Sequence, residues 1–545
     1  MSGEPTEPEA GGVAAASATV AVWTLVSRAT GFVRVAVVAA TLGATYLGNT
    51  YGATNYIPNL TLELVSGSVL GSLLVPPLVR ALDARGRNDA ERLAGTYLGV
   101  VMTALAAVAV LAALAAPLLL RLFAAGVSNR DVAGDQLELG WKLLALQVWQ
   151  IPLYGLVQVA TAAQTARGKF ALAAGAPVIE NVGIMVVMGA YVLAYGTGQR
   201  LDEVGIGPIL LLGGGSTLAV AAHAATQWFG AHRAGLNLRP RLGWREPEVR
   251  SLIADMRITL RLTVLTSGRT FGALIVANTV AGGVVAFQVG LNFLWLPSAL
   301  GARPVAVALQ PLLARLHHRG LADRFRQEFV RGLSVVVFFA VPATVFYVLL
   351  GDSLAHLVAN GQFNTHAGIG LMAATLAGLG LGVLGDSGYV LSFYASFAHD
   401  DVRAPFRAMV AAVAVAAVGM VVSTVAFDGR DTLLALSIAY SLSNLVAAWR
   451  LAHAVTPRVG RDGLVRSMLR GLVAGAAGAG PAYLLGVVLP GDHATRLQYV
   501  GCLVAAAAVG GAIYVAVQHA FRAAELDFLR GMLRRGGREV AADEV

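Results

Sequence analysis

The sequence predicts an all-α polytopic membrane protein of about 14 transmembrane helices, arranged as two parallel six-helix lobes followed by a C-terminal helix pair. Three observations lead to this class. Hydrophobic residues make up 57% of the 545 and charged residues only 13%, against about 25% charged in an ordinary soluble domain. Mean hydropathy is +0.68, and stretches such as 100–120 carry no charge at all, matching the roughly 20 apolar residues that a spanning helix needs. Finally, residues 77–92 and 311–326 share seven identities in sixteen positions, including Pro77/Pro311, Arg85/Arg319, Gly86/Gly320 and Asp89/Asp323.

On length and apolar content the spans fall at 16–43, 50–80, 93–121, 138–164, 172–195, 206–229, 253–281, 284–314, 330–351, 367–397, 405–427, 432–452, 467–489 and 497–520. The runs are continuous rather than alternating, which argues against strands, and an open sheet edge has no partner in lipid. Residues 1–12 are acidic and Pro/Gly-rich, lack the basic start of a signal peptide, and read as a disordered cytoplasmic tail. The expected organisation is then that tail, an N-terminal lobe over 13–232, a C-terminal lobe over 248–455, helices 13–14 over 465–521, and a basic cytoplasmic tail over 522–545. The lone cysteine, Cys502, excludes an intramolecular disulfide.

Net charge is +9, but the arginines fall on alternate connections, a topology signal rather than a nucleic-acid face. With both termini cytoplasmic, the inner connections and C-terminal tail carry 28 Lys and Arg and the outer connections 5. The related stretches 77–92 and 311–326 end spans two and eight. A period of six helices is even, so the two copies keep the same orientation and are parallel repeats.

Seven basic residues remain inside spans. Lys142, Arg257 and Arg261 lie near enough to helix ends to snorkel, and Arg303 sits in the cytoplasmic half of span eight beside Pro304. Arg28, Arg34 and Arg269 lie deeper, where a guanidinium in hydrocarbon costs from about 2.5 to more than 10 kcal/mol. Two readings follow: these three line a central wet cavity between the lobes, or they pair structurally with the intramembrane carboxylates Glu63, Glu180 or Asp386. A cavity of arginines suits a phosphate-bearing amphiphile, because a guanidinium offers forked donors to phosphate oxygens. There is no Walker loop and no Cys/His metal cluster, and His317–His318 lie on a basic connection. No enzymatic activity and no cofactor are expected.

Several stretches in order along the chain resemble the MurJ/MviN family of lipid II flippases, within the superfamily of multidrug, oligosaccharidyl-lipid and polysaccharide exporters. They are SRATGFVR at 27–34, YIPNL at 56–60 with LVP at 74–76, RGKF at 167–170 with APVIEN at 176–181, LVANGQF at 357–363 and FYASFAHDDVRAPFR at 393–407. Arg28 and Arg34 match the two first-helix arginines of that family. Elsewhere the chain departs: Val35 follows Arg34, and Asn49, Leu62, Glu63 and Asn292 stand where the family carries charges.

The resemblance implies a flippase that moves a polyprenyl-pyrophosphate-linked cell-wall precursor across the bacterial cytoplasmic membrane by alternating access. Arg28, Arg34 and Arg269 would bind pyrophosphate, and Asn49, Asn55, Asn278 and Asn292 the polar headgroup. Helices 13–14 would form a groove for the lipid tail, with cell-wall synthesis proteins as expected partners. The competing readings are an ion-coupled exporter of small amphiphiles, favoured by a carboxylate-dominated cavity, and a non-transporting membrane scaffold descended from a flippase.

Overall fold

The computed structural model describes residues 10–66, 69–399, 401, 403–456, 463–491 and 494–526; over 10–18, 61–66, 69–72, 255 and 257–259 only the backbone is described. Helices account for nearly all of it, and the described residues contain no strand. The chain separates into two compact units, Met1–Ser267 and Gly268–Val545.

The first unit begins with α1 (Ala10–Leu42), α2 (Tyr46–Ser66), α3 (Val69–Arg85) and α4 (Arg87–Ala124). It continues with α5 (Arg130–Gln147), α6 (Gln150–Ala166), the short α7 (Phe170–Gly175) and α8 (Pro177–Tyr195). A single turn, α9 (Ile206–Ile209), runs through the π-turn Leu210–Gly214 into α10 (Gly215–Arg233). Its core gathers Leu42, Tyr51, Leu143, Ile184, Met188 and Leu212 from five of these elements. The connection 234–246 does not hang free. Its Arg241 amide donates to the Gly95 carbonyl at 2.9 Å, its Asn237 amide to Glu91 Oε1 at 3.1 Å, and Leu236 and Leu238 are buried.

The boundary between the units falls within α11 (Pro247–Ala277). The second unit continues with α12 (Gly283–Pro297), a π-turn at Ser298–Ala302 and α13 (Arg303–His318). There Pro297 and Pro304 each remove a backbone donor, so the helical ladder is locally rewound rather than continuous. Next come α14 (Ala322–Val358), α15 (His366–Gly380), α16 (Gly382–Ala398), α17 (Ala404–Ala426), α18 (Gly429–Val455), α19 (Leu464–Tyr483) and α20 (Arg496–Ala520). Phe325, Phe329, Leu309, Leu333 and Leu391 centre its main core. Small residues let helices approach closely, as expected where lipid supplies little drive for association: a Cβ on Gly385 would stand 2.5 Å from the Leu445 amide nitrogen of α18.

The related stretches adopt the same local form in each unit. A proline-containing helix (α3 with Pro77, α13 with Pro311) ends in a left-handed glycine, Gly86 at φ +83° and Gly320 at φ +69°. The two longest helices follow, α4 with 38 residues and α14 with 37. Any other residue at those two glycines would hold a strained backbone.

Among the described residues, twelve helical segments are long and apolar enough to span a membrane, and a thirteenth span forms if the bent pair α15–α16, which turns by 44°, is taken as one. That pair occupies the expected span 367–397. The expected span 50–80 falls on α2 and α3, which carry Pro58, Pro76 and Pro77 and whose junction at 67–68 lies outside the described residues. Most of the expected tails, 1–9 and 527–545, also lie outside them, and α1 already begins at Ala10. Large apolar side chains such as Leu111, Leu114, Val425 and Leu497 stand exposed along the helices. In a multi-pass membrane protein, lipid covers them.

Candidate functional site

In the first unit, two stretches far apart in sequence meet face to face. Asn181 of α8 donates through Nδ2 to the Ser27 carbonyl at 3.2 Å and to Thr30 Oγ1 at 3.1 Å. A Cβ on Gly31 would meet that amide at 3.5 Å, ordinary van der Waals contact. The Asn181 contact brings SRATGFVR against APVIEN and sets the preceding residue, Glu180, beside Arg34.

Glu180 is the hub of the site and is 7% exposed. Its Oε2 lies 2.9 Å from His223 Nδ1 on α10. Its Oε1 accepts from Tyr154 Oη on α6 at 3.1 Å and lies 3.6 Å from Arg34 Nη1 on α1. Polar contacts continue onto α2: Tyr154 Oη is 3.3 Å from Asn59 Oδ1, Asn59 donates to Asn55 Oδ1 at 2.9 Å, and Asn55 donates to Tyr51 Oη at 3.4 Å. Tyr51 in turn meets Ser216 of α10 at 2.8 Å. One guanidinium, one carboxylate and one imidazole are therefore held by five helices at membrane depth. His223 is itself buried, and its Nε2 has no hydrogen-bond partner. The Arg34 side chain, 25% exposed, is the most open of the three.

The structure thus joins Arg34, Asn55 and Glu180 of the expected set and adds Tyr51, Asn59, Tyr154 and His223. Arg28 is exposed on α1, nearly two turns before Arg34. Asn49 is fully buried on α2. The side chain of Glu63 lies outside the described residues.

The remaining expected residues belong to the second unit. Asn278 is fully buried just beyond α11, and Asn292 donates to the Gln288 carbonyl of its own helix at 2.8 Å. Arg269 departs from the expectation of a guanidinium open to water. It is 7% exposed, donates to Asn444 Oδ1 at 2.7 Å, Ser443 Oγ at 2.9 Å and Tyr440 Oη at 3.1 Å, and lies 4.2 Å from the Tyr440 ring centroid. Neutral oxygens and an aromatic face on α18 engage both terminal nitrogens of this cation, its buried Nε has no hydrogen-bond partner, and Asp386 is an electrostatic partner rather than a contact. Asp386 itself hydrogen-bonds Ser298 at the π-turn and also feels Arg303.

A second feature of this unit is apolar. Pro342, Val345 and Leu349 of α14, Gly478 of α19 and Ala506 and Gly511 of α20 line a cavity of about 230 Å³. It lies on α19 and α20, the helices expected to receive a lipid tail.

Among known proteins, the family model described as "Lipid II flippase MurJ" matches residues 38–491. A "Probable lipid II flippase MurJ" from Rhizobium tropici is 26% identical over 453 residues, 79% of this chain and 81% of its own. Another so described, from Rhizobium meliloti (strain 1021), is 26% identical over 543 residues, 95% of this chain and 96% of its own. A solved structure described as "Lipid II flippase MurJ, inward closed conformation" superposes with a TM-score of 0.72 at 16% identity, covering 92% of this chain and 98% of that one. An inward-facing multidrug resistance MATE family transporter of the MOP superfamily gives 0.61 at 14% identity, over 81% and 96%. With a family model spanning most of its length, this chain belongs to the MurJ family of lipid II flippases.

Proposed function

We propose that this chain is a flippase that moves a lipid II-like, polyprenyl-pyrophosphate-linked cell-wall precursor from the inner to the outer leaflet of the bacterial cytoplasmic membrane by alternating access. The observation that carries the reading is Arg34, a guanidinium at membrane depth held 3.6 Å from a buried carboxylate and still a quarter exposed. Such a group keeps forked donors available to an arriving phosphate. Arg28 extends the same helix as a second cation, and Asn55 and Asn59 supply neutral donors and acceptors for the sugar end. Arg269, already engaged by α18, acts in this reading as the organiser of the polar region of the second unit and reaches substrate only by exchanging those partners. The apolar cavity on α14, α19 and α20 takes part of the polyprenyl chain.

Both termini are assigned to the cytoplasm by the 28-to-5 distribution of basic residues. An exporter of cationic amphiphiles needs a carboxylate free to meet its substrate, and Glu180 is already engaged by Arg34, Tyr154 and His223. Conditional complementation tests the proposal: expression should restore growth and cell-wall synthesis to cells depleted of their own lipid II flippase. Failure of a membrane-inserted, full-length protein to do so would refute it.

A further inference from the structure

The Glu180–His223 contact has no counterpart in what a static anion site requires. With Glu180 ionised, His223 Nδ1 carries the hydrogen that it donates at 2.9 Å. Nε2 is then a lone pair, buried and without a partner. That atom is where a proton from water can add while the Nδ1 contact stays intact, converting a neutral imidazole beside a carboxylate into a compact ion pair.

The charge balance of the site changes with that proton. Without it, the single carboxylate is shared between Arg34 and a neutral histidine, and the cluster is neutral overall. With it, the imidazolium neutralises Glu180, and the full charge of Arg34 is left for an incoming anion. A pyrophosphate approaching Arg34 otherwise places like charge within a few ångströms of an uncompensated carboxylate. The other groups facing the pair do not substitute for this switch. Arg34 comes from α1, Tyr51 from α2 and Tyr154 from α6; α7 and the π-turn at 210–214 bring no titratable side chain. Of the residues on α5, Glu138 and Lys142 are exposed and paired with each other at 2.6 Å.

We propose that Glu180 and His223 form a proton-binding site whose occupancy frees Arg34 for the anionic headgroup, so that proton uptake and substrate binding favour one another. This rests on the flippase reading for the identity of the anion. By thermodynamic linkage each ligand raises the affinity for the other by the same factor. Substrate and proton therefore occupy the site together and leave it together.

The test uses the full-length protein in nanodiscs and a short-chain lipid II analogue as the probe, with binding measured from pH 6 to 8. The expected result is a Kd that rises up to about tenfold per pH unit, with uptake of roughly one proton per probe bound in a weakly buffered, dye-reported solution. His223→Gln and Glu180→Gln should each abolish the uptake and flatten the profile. Binding that is intact but independent of pH in the unmodified protein overturns the proposal and leaves the flippase reading standing. Should the probe not bind at all, the flippase reading fails, and pH-difference infrared spectra of the substrate-free protein still decide this inference. An imidazole signal lost in His223→Gln supports a proton site, and its absence from the unmodified protein refutes one.

Discussion

Replacing Glu180 by Gln removes one charge while keeping the shape and hydrogen-bonding capacity of the side chain, so it isolates the electrostatic share of the cluster. The oxygen of the amide still accepts from Tyr154, and its NH2 group meets His223 Nδ1 once the imidazole adopts its other tautomer. What is lost is the attraction between Glu180 and Arg34 at 3.6 Å. Coulomb's law puts that at about 1 kcal/mol in the dielectric of water and about 5 kcal/mol at an effective constant of 20. Because a quarter of the Arg34 side chain is exposed, screening places the expected loss near 2 kcal/mol. Glu180→Ala should cost about 1 kcal/mol more, because it also strands Tyr154 and His223, and interhelical polar contacts in membranes average about 0.6 kcal/mol each. Reversible unfolding in mixed micelles, followed by tryptophan fluorescence, measures both losses. A double-mutant cycle with Arg34→Gln should recover the charge component, since the doubly substituted protein has no buried charge left unpaired. If Glu180→Gln is as stable as the parent, or the cycle shows no coupling, then the carboxylate does not hold Arg34 and the account of the cluster is wrong.

Arg34→Ala should abolish transport of a polyprenyl-linked substrate in proteoliposomes without loss of membrane insertion, and Arg34→Lys should restore only part of it, because an ammonium keeps the charge but not the fork; parental rates in Arg34→Ala would refute a role in binding. At Gly99 an added Cβ would overlap the Arg241 carbonyl oxygen, so Gly99→Ala should displace the connection 234–246 at a cost of about 1–3 kcal/mol, read as roughly 5- to 150-fold faster tryptic cleavage there. Gly511 lines the apolar cavity, and a Cβ on it would meet nothing within 4 Å. Gly511→Leu should therefore fold normally and slow a long-chain substrate by roughly tenfold or more while sparing a short-chain one; equal effects on both would remove the cavity from the lipid path. In a Cys502→Ala background, a cysteine at position 240 should resist membrane-impermeant labelling from outside intact cells, and labelling there would invert the assigned topology.

The spans were legible because uninterrupted apolar runs leave a chain little choice in lipid, and they were least legible where prolines crowd them. Pro58, Pro76 and Pro77 lie within α2 and α3, whose junction at 67–68 is outside the described residues, and the α15–α16 pair bends by 44° at Leu381. In the site, sequence reasoning found the charges and missed their neutral company. Arg34 and Glu180 stand out against a hydrophobic background, whereas Asn59 and Tyr154 differ little in hydropathy from their surroundings, and nothing along the chain says that residues 95 apart will meet. His223 did carry a signal, as the imidazole in the middle of a helix otherwise built for lipid. Arg269 shows the opposite difficulty. Its depth was readable, but only acidic residues were weighed as its partners, while the fold engages its terminal nitrogens with the hydroxyl and amide oxygens of Ser443, Tyr440 and Asn444.

The lengths of α4 and α14 have a mechanical consequence. At 1.5 Å per residue, 38 and 37 residues make rods about 57 and 56 Å long, nearly twice the roughly 30 Å of a bilayer's hydrocarbon layer. Their charged first turns, Arg87–Arg92 and Asp323–Arg331, must therefore stand out in water like handles. A tilt of only 10° about one tip would sweep the other through about 10 Å. Because the connection 234–246 is fastened by its backbone to the handle end of α4, any pull on that handle is delivered at once to α10, the helix that carries His223.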